Sequence, residues 1–318
     1  MSGIERFQTL IILAAVLLGL GLGQWQSVQE HAEAFILPCL FLLFYGMFLT
    51  VSIGNLRESF VNMRFVGTSV AVNFIWTPIL AWLLGWVFLA DHPYLWLGFF
   101  MLMVTPCTDW YVIFTGIAKG NVNQSMAVLP INLVLQLLLL PLYLYVFTGV
   151  TGSFDYGEII KSMWYVLILP LLSAFLTSKI LVSLKKQRLM EEYLVPFFNQ
   201  SNILFLSLAI VAMFASQGYY LLEHIEILAL LAIPVLLFFL INFFVGESVG
   251  KLMKFSRADT VSLDFTILAR NSPVALGIAI MAFPDQPLVA LALIIGPLLE
   301  LPVLAIVAKV LLMRQLQH

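Results

Sequence analysis

The stretch Thr105-Pro106-Cys107-Thr108-Asp109-Trp110 interrupts an apolar run that covers about residues 94–118. Proline removes a backbone donor and clashes with the preceding turn, so the helix is expected to break at Pro106. A carboxylate at the centre of a membrane costs about 3 kcal/mol and usually faces a cavity or a partner. A second stretch, Ala269-Arg270-Asn271-Ser272-Pro273, interrupts a later apolar run, where Pro273 is the expected helix break. Two such interrupted helices point to a midplane site in a secondary transporter.

Composition places the chain in a lipid environment. Of 318 residues, 62% are hydrophobic and 10% are charged, and the mean hydropathy is +1.04. A water-soluble domain of this composition could not cover its surface with polar groups. The net charge of -2 comes without a basic block, which argues against nucleic acid as a partner. Two cysteines, Cys39 and Cys107, do not amount to a disulfide framework.

Apolar runs long enough to cross a bilayer, roughly 17–25 residues, recur along the chain. They cover residues 7–23, 34–53, 65–90, 94–118, 125–150, 158–182, 200–217, 225–246, 260–283 and 287–313. These runs predict an all-α polytopic membrane protein with about ten transmembrane helices, the first of them retained rather than cleaved as a signal peptide. Lysine and arginine follow the even-numbered runs, so both termini are predicted to be cytoplasmic. We expect the protein in the plasma membrane, which is the inner membrane in a bacterium.

The chain is predicted to form two halves, residues 1–183 and 184–318, each with one broken helix. The segment Ile75-Trp76-Thr77-Pro78-Ile79-Leu80 resembles Leu231-Ala232-Ile233-Pro234-Val235-Leu236, and prolines in the fifth run are echoed in the tenth. About five helices per half is an odd number, so the halves should have opposite topology. An inverted repeat is therefore predicted.

Ionisable and thiol groups inside the runs are the first candidates for a site. The Cys107 thiol could be a soft metalloid ligand, or simply a small buried apolar group. Asp109 could contact the solute or carry a proton. Arg270 could bind an anionic solute, supply a fixed positive charge where a coupling cation would sit, or form a permanent salt bridge to Asp109 or Asp264.

Glu300 lies between Pro297 and Pro302, where a carboxyl group that loads and unloads a proton would suit proton coupling. The alternative is a structural hydrogen bond to backbone that the prolines leave free. Asp264 lies near the cytoplasmic start of its run, and we interpret it as a solvated residue with no role in transport.

Amide and hydroxyl groups complete the candidate site. Asn132 and Gln136 are four residues apart, hence on one helix face, and either line the site or join helices. The candidate substrate-binding residues are Cys107, Thr108, Asp109, Asn132, Gln136, Arg270, Asn271 and Ser272, and the candidate proton-coupling residues are Glu300 and Asp109.

Motifs of enzymes are missing from the sequence. It contains no G-x-S-x-G, H-E-x-x-H or Walker loop, and its histidines do not form a zinc pattern. We therefore predict a non-enzyme without a cofactor, whose partners are the bilayer, a small solute and protons. A passive channel or a receptor is the alternative outside active transport, although a channel would need rings of like groups.

Several motifs resemble the bile acid:sodium symporter superfamily, and within it the arsenite permeases of the arsenical-resistance type. They are Asn73-Phe74-Ile75-Trp76-Thr77-Pro78, Cys107, Ile117-Ala118-Lys119-Gly120-Asn121, Leu129-Pro130-Ile131-Asn132 with Gln136, Phe265-Thr266-Ile267-Leu268-Ala269-Arg270-Asn271, and Ile295-Gly296-Pro297-Leu298-Leu299-Glu300-Leu301-Pro302-Val303-Leu304.

The resemblance implies a ten-helix inverted repeat with interleaved panel and core domains and two broken, crossing helices. In these permeases a cysteine in the fourth span and a glutamate at the Gly-Pro-x-x-Glu position are essential, which corresponds to Cys107 and Glu300. The implied function is arsenite efflux in exchange for protons. The alternative is a sodium-coupled organic-anion symporter, but such relatives carry a glutamate and a glutamine where Ala269-Arg270-Asn271-Ser272 has neither.

Overall fold

Helices account for almost all of the computed structural model, which describes residues 3–50, 62–108, 110–151, 156–223 and 225–316. In chain order they are α1 (Gly3–Leu22), α2 (Gln26–Thr50), α3 (Met63–Ala71), α4 (Thr77–Leu89), α5 (Pro93–Met103), α6 (Trp110–Ile117), α7 (Val122–Thr151), α8 (Tyr156–Met163), α9 (Leu169–Ser183), α10 (Gln187–Leu189), α11 (Val195–Glu223), α12 (Ile225–Leu252), α13 (Arg257–Leu268), α14 (Ser272–Ala282) and α15 (Pro287–Leu316). Three π-helical turns, Val72–Trp76, Trp164–Ile168 and Met190–Leu194, connect neighbouring helices without interrupting them.

The predicted fold class is confirmed. Among the described residues, seven continuous helical segments are long and apolar enough to cross a membrane, and three shorter apolar helices accompany them. The fourth predicted run is divided into α5 and α6, and the ninth into α13 and α14. The protein is therefore an all-α polytopic membrane protein with two broken spans.

Several predicted boundaries differ from the observed ones because polar residues lie inside helices. The seventh run was predicted to begin at residue 200, whereas the helical segment extends back to Gln187. The eighth was predicted to end at residue 246, whereas α12 continues to Leu252. Glu247 does not stop α12, since its carboxylate is paired with Arg257 at 2.6 Å.

Prolines inside the spans leave carbonyl groups free, and side chains from other segments bind them. Pro78 has no N–H for the carbonyl of Phe74, four residues earlier. The Tyr143 hydroxyl donates to that carbonyl instead, at 2.6 Å. Because lipid offers no hydrogen bonds, such replacements let a helix keep its path through the membrane.

A lysine with left-handed backbone follows the C-terminus of three helices. Lys119, Lys185 and Lys254 have φ values of 54°, 55° and 53°. In each case the following N–H donates to the carbonyl five residues before it, which satisfies a helix C-terminus. All three lie in loops that the charge pattern predicts to be cytoplasmic.

The chain divides into two compact units. The first consists of Met1–Ser52, Gly157–Ile225 and Leu276–Pro287, and the second of Ile53–Tyr156, Glu226–Ala275 and Leu288–His318. In the first unit, α2 packs against α11 and α9, and α1 packs against α11. In the second, α7 packs against α3, α5, α6 and α13, and α4 packs against α5. Each unit draws on both predicted halves of the chain, and the division at residue 183 stays a prediction.

Candidate functional site

The two interruptions lie side by side in the second unit. Pro106 and Arg270 face each other as a single antiparallel β-bridge. The Cys107 N–H donates to the Ala269 carbonyl at 3.0 Å, and the Asn271 N–H donates to the Thr105 carbonyl at 2.7 Å. Each break thus supplies hydrogen bonds that the other has lost, which is the condition for irregular backbone at membrane depth.

The predicted breaks at Pro106 and Pro273 take different forms. Pro106 lies inside the non-helical segment, whereas Pro273 lies in the first turn of α14, where proline is tolerated because that N–H has no helical partner. The second break therefore precedes Pro273. Asn271 caps α14, since its side-chain oxygen accepts the Val274 N–H at 3.4 Å.

The Cys107 thiol lies at the start of α6. Its side chain is buried, and its sulfur accepts the Trp110 N–H at 3.3 Å. The neighbouring Thr108 hydroxyl accepts from the Asn271 amide at 3.4 Å, which links the two breaks through side chains as well. The predicted Asp109, and with it the proposed Asp109–Arg270 pair, lies outside the described residues.

The Arg270 guanidinium joins the ends of two half-helices. It donates to the carbonyls of Met103 at 2.9 Å and Leu268 at 3.2 Å, and also to Ile267. These carbonyls belong to the last turns of α5 and α13, where intrahelical donors are missing and the helix dipole is negative. A fourth bond, at 3.1 Å, runs to the side-chain oxygen of Asn73. The guanidinium therefore neutralises two helix ends in the interior of the protein, where Arg270 is 1% exposed.

Glu300 reaches the same break from α15. Its carboxylate accepts the backbone N–H of Arg270 at 2.9 Å, and the residue is 3% exposed. Pro297 leaves the Leu293 carbonyl without its helical donor, and the Ser272 hydroxyl donates to that carbonyl instead. The candidate residues Glu300 and Ser272 thus connect the proline-containing part of α15 to the second break.

Asn132 and Gln136 lie apart from this network. Both are 1% exposed on α7, yet none of their side-chain nitrogen and oxygen atoms has a hydrogen-bond partner among the described residues. A buried amide without a partner costs about 1–3 kcal/mol. The structure therefore places two unsatisfied amides in the unit that holds the breaks, without bonding them to either break.

The expectations for Asp264 are wrong on two points. Its side chain was expected to be solvated, but the residue is 0% exposed because α13 packs into the interior of the second unit. It was also a possible partner of Arg270, but the guanidinium donates to other groups and neither Asp264 oxygen has a hydrogen-bond partner among the described residues.

Sequence reasoning did not assign a site role to Asn73 or Phe238. The Asn73 amide donates to the Thr266 carbonyl at 3.2 Å while its oxygen accepts from Arg270. Asn73 lies in the π-helical turn that precedes Pro78, and such turns are frequent at functional sites. The Phe238 ring lies 5.3 Å from the guanidinium carbon of Arg270, at cation–π distance. The sequence signal that could have indicated Asn73 as a site residue was a single amide five residues before Pro78 in an apolar run.

Comparisons with known proteins identify the family. A model described as the Sodium Bile acid symporter family matches residues 37–224. The arsenical-resistance protein Acr3 of Corynebacterium glutamicum is 26% identical over 323 residues, covering 95% of this chain and 87% of that protein. Acr3 of Alkaliphilus metalliredigens is 21% identical over 329 residues, covering 96% and 91%. The uncharacterized protein YbaS of Bacillus subtilis is 25% identical over 292 residues, covering 92% of each. The chain belongs to the sodium bile acid symporter family and is a membrane transporter rather than an enzyme.

Proposed function

We propose that the protein exports arsenite, or a related small metalloid or anionic solute, across the plasma membrane in exchange for protons. The observation that carries this proposal is the meeting of a thiol, a guanidinium and a carboxylate at one pair of backbone breaks. Cys107 bonds to Ala269, and Glu300 bonds to the next residue, Arg270. Two relatives are named arsenical-resistance proteins, which supports arsenite as the solute.

Cys107 is the proposed solute ligand, because thiolate sulfur binds soft metals and metalloids well. Thr108, Asn271 and the unsatisfied amides of Asn132 and Gln136 are proposed to offer hydrogen bonds to the solute's hydroxyl groups. For Asn132 and Gln136, which have no side-chain partners among the described residues, bonds to a polar solute would offset the cost of burying their amides.

Glu300 is the proposed proton carrier. Protonation would weaken its hydrogen bond from the Arg270 N–H, since a neutral carboxyl oxygen is a poorer acceptor than a carboxylate. Proton binding would thereby act on the break that contacts Cys107. The charge pattern of the loops supports cytoplasmic termini.

Arg270 is proposed to serve as a fixed cation rather than as a solute ligand. Four hydrogen bonds direct its guanidinium to protein oxygens. In sodium-coupled transporters of broken-helix type, unwound carbonyls and half-helix C-terminal ends coordinate the ion. Here a guanidinium occupies two such ends, which disfavours the alternative of sodium-coupled organic-anion symport.

The thiol can be tested with the two cysteines of the chain. Cys107→Ser should abolish arsenite resistance in a sensitive host, because a hydroxyl is a hard and weak ligand for a metalloid. Cys39→Ser, in α2 of the first unit, is the matched control and should leave resistance intact at equal protein level. Full resistance with Cys107→Ser would remove the thiol from the mechanism.

The carboxyl group can be tested with Glu300→Gln. Glutamine keeps an oxygen that can accept the Arg270 N–H, but it cannot carry a proton. Arsenite flux driven by a pH gradient in proteoliposomes should stop while arsenite still binds to the purified variant. The exposed Glu192→Gln is the control and should transport like the unmodified protein. Undiminished pH-driven flux in Glu300→Gln would refute the proton-carrier role.

The fixed cation can be tested with Arg270→Lys, which retains the charge but not the planar fork of donors. An ammonium group cannot reach Met103, Leu268 and Asn73 together, so unfolding in detergent should become easier by about 1.5–3 kcal/mol, the contribution of one hydrogen bond to a charged group. The exposed Arg188→Lys serves as the control. Equal stability of Arg270→Lys and the unmodified protein would show that a simple positive charge is sufficient.

A further inference from the structure

Asp264 is a buried carboxylate that the proposed transport site does not use. It lies on α13, is 0% exposed, and neither of its oxygens has a hydrogen-bond partner among the described residues. It packs directly against α12 at Gly246, where even a β-carbon would collide with its carboxylate. The close approach leaves no room for a bridging group on that side.

The charges around Asp264 belong to a small cluster at the ends of three helices. Glu247 of α12 directly follows Gly246, the residue that the Asp264 carboxylate contacts, and the cations Arg257 of α13 and Arg314 of α15 lie in the same region. Both arginines are directed to Glu247, whose carboxylate lies 2.6 Å from Arg257 and 3.9 Å from Arg314. The cations of the cluster thus compensate Glu247 and leave Asp264 without an ion pair among the described residues.

Apolar side chains form much of the remaining surroundings of α13, and Ser69 of α3 is a buried hydroxyl without a hydrogen-bond partner among the described residues. Val66 of α3 and Val128 of α7 pack against Leu263 and Ile267 of α13. From α6, Phe114 stacks on Phe265, and the Tyr111 hydroxyl donates to the Ser125 carbonyl. An ionised Asp264 would therefore be a desolvated charge next to a second carboxylate.

Two ionised carboxylates offer only acceptors to each other, so neither can satisfy its neighbour. One proton changes this, since a protonated carboxyl group can donate a short, charge-assisted hydrogen bond to a carboxylate. We propose that Asp264 and Glu247 share one bound proton and form a second proton-binding site, separate from the breaks that hold Cys107 and Glu300. The proton comes from water; Asp264 carries it and donates to Glu247, which stays ionised and paired with Arg257.

The site has a direct structural consequence. α13 runs from this carboxyl pair to Leu268, immediately before the break that contains Arg270. Release of the proton would place like charges between α12 and α13 and weaken their contact at Gly246. Proton occupancy therefore stabilises the helix that positions the second break. The inference concerns proton binding by these two residues and does not depend on the identity of the transported solute.

Asp264→Asn tests the inference, because the amide can donate to Glu247 as the protonated acid would. Thermal unfolding of the full-length protein in detergent should be followed from mildly acidic to mildly alkaline buffer. The folded unmodified protein holds a proton that its unfolded chain releases, so its stability should fall as the pH rises, by up to about tenfold in the unfolding equilibrium per pH unit. Asp264→Asn should lose this part of the pH dependence and be the more stable protein in alkaline buffer.

Asp285→Asn, on an exposed carboxylate, is the control and should keep the pH dependence of the unmodified protein. Glu300 is present in all three proteins, so it contributes equally to each curve. An unchanged pH dependence in Asp264→Asn would overturn the proposal, because it would mean that Asp264 does not bind a proton on folding.

Infrared spectroscopy of the unmodified protein with isotope-labelled aspartate gives a second measurement that does not require a folded variant. A protonated aspartyl carboxyl band should be present at neutral pH and disappear on alkaline titration. Where Asp264→Asn folds, it should lack this band. The absence of a protonated aspartyl band in the unmodified protein would also overturn the proposal, whatever the transport activity.

Discussion

The hydrogen bonds of the Arg270 guanidinium hold together the part of the molecule on which the proposed transport site depends. A span that breaks inside a bilayer exposes peptide groups that lipid cannot satisfy. Arg270 binds carbonyls at the ends of α5 and α13 together, and its own backbone pairs with Pro106 and donates to Glu300. One residue therefore serves both breaks and α15. The Phe238 ring and the Asn73 amide complete its surroundings, so the charge is buried but compensated.

A fixed cation in this position has a consequence for coupling. Carbonyl ends of half-helices are suitable ligands for sodium when they have no other partner. Here the Met103, Ile267 and Leu268 carbonyls already accept from a group that cannot leave or lose its proton. We propose that this chain combines its two broken spans with proton rather than sodium coupling. Glu300 is the proposed group for that role, since it is ionisable and bonded to Arg270, the residue that joins the two breaks.

The broad architecture could be predicted from the sequence, because apolar runs and mid-span prolines report on single segments. Pro106 and the polar stretch before Pro273 indicated where the spans break. The partners of Arg270 could not be predicted, since most of them are backbone carbonyls, and every residue type carries one. The sequence also does not show which charged side chains lie close together in space. Asp264 was one predicted partner of Arg270, and the structure contradicts that pairing.

The prediction that Asp264 is solvated was also wrong, because it relied on the position of this residue near the start of its run. Asp264 resembles a solvated residue in the sequence, yet helices α3, α6 and α7 pack around α13. Asn73 gave a weak signal, because one amide in an apolar run is as easily a helix–helix contact as a site residue. The burial and the hydrogen-bond partners of these side chains depend on contacts between segments far apart in the chain, and local sequence patterns do not encode such contacts.

We propose that Arg270 takes the place of a coupling sodium ion and leaves protons to drive transport. The most direct measurement is arsenite flux by the unmodified protein in sealed vesicles, under a sodium gradient alone and under a pH gradient alone. We expect flux under the pH gradient and unchanged flux when sodium is replaced by another monovalent cation. Concentrative flux that requires a sodium gradient and ignores the pH gradient would contradict this proposal.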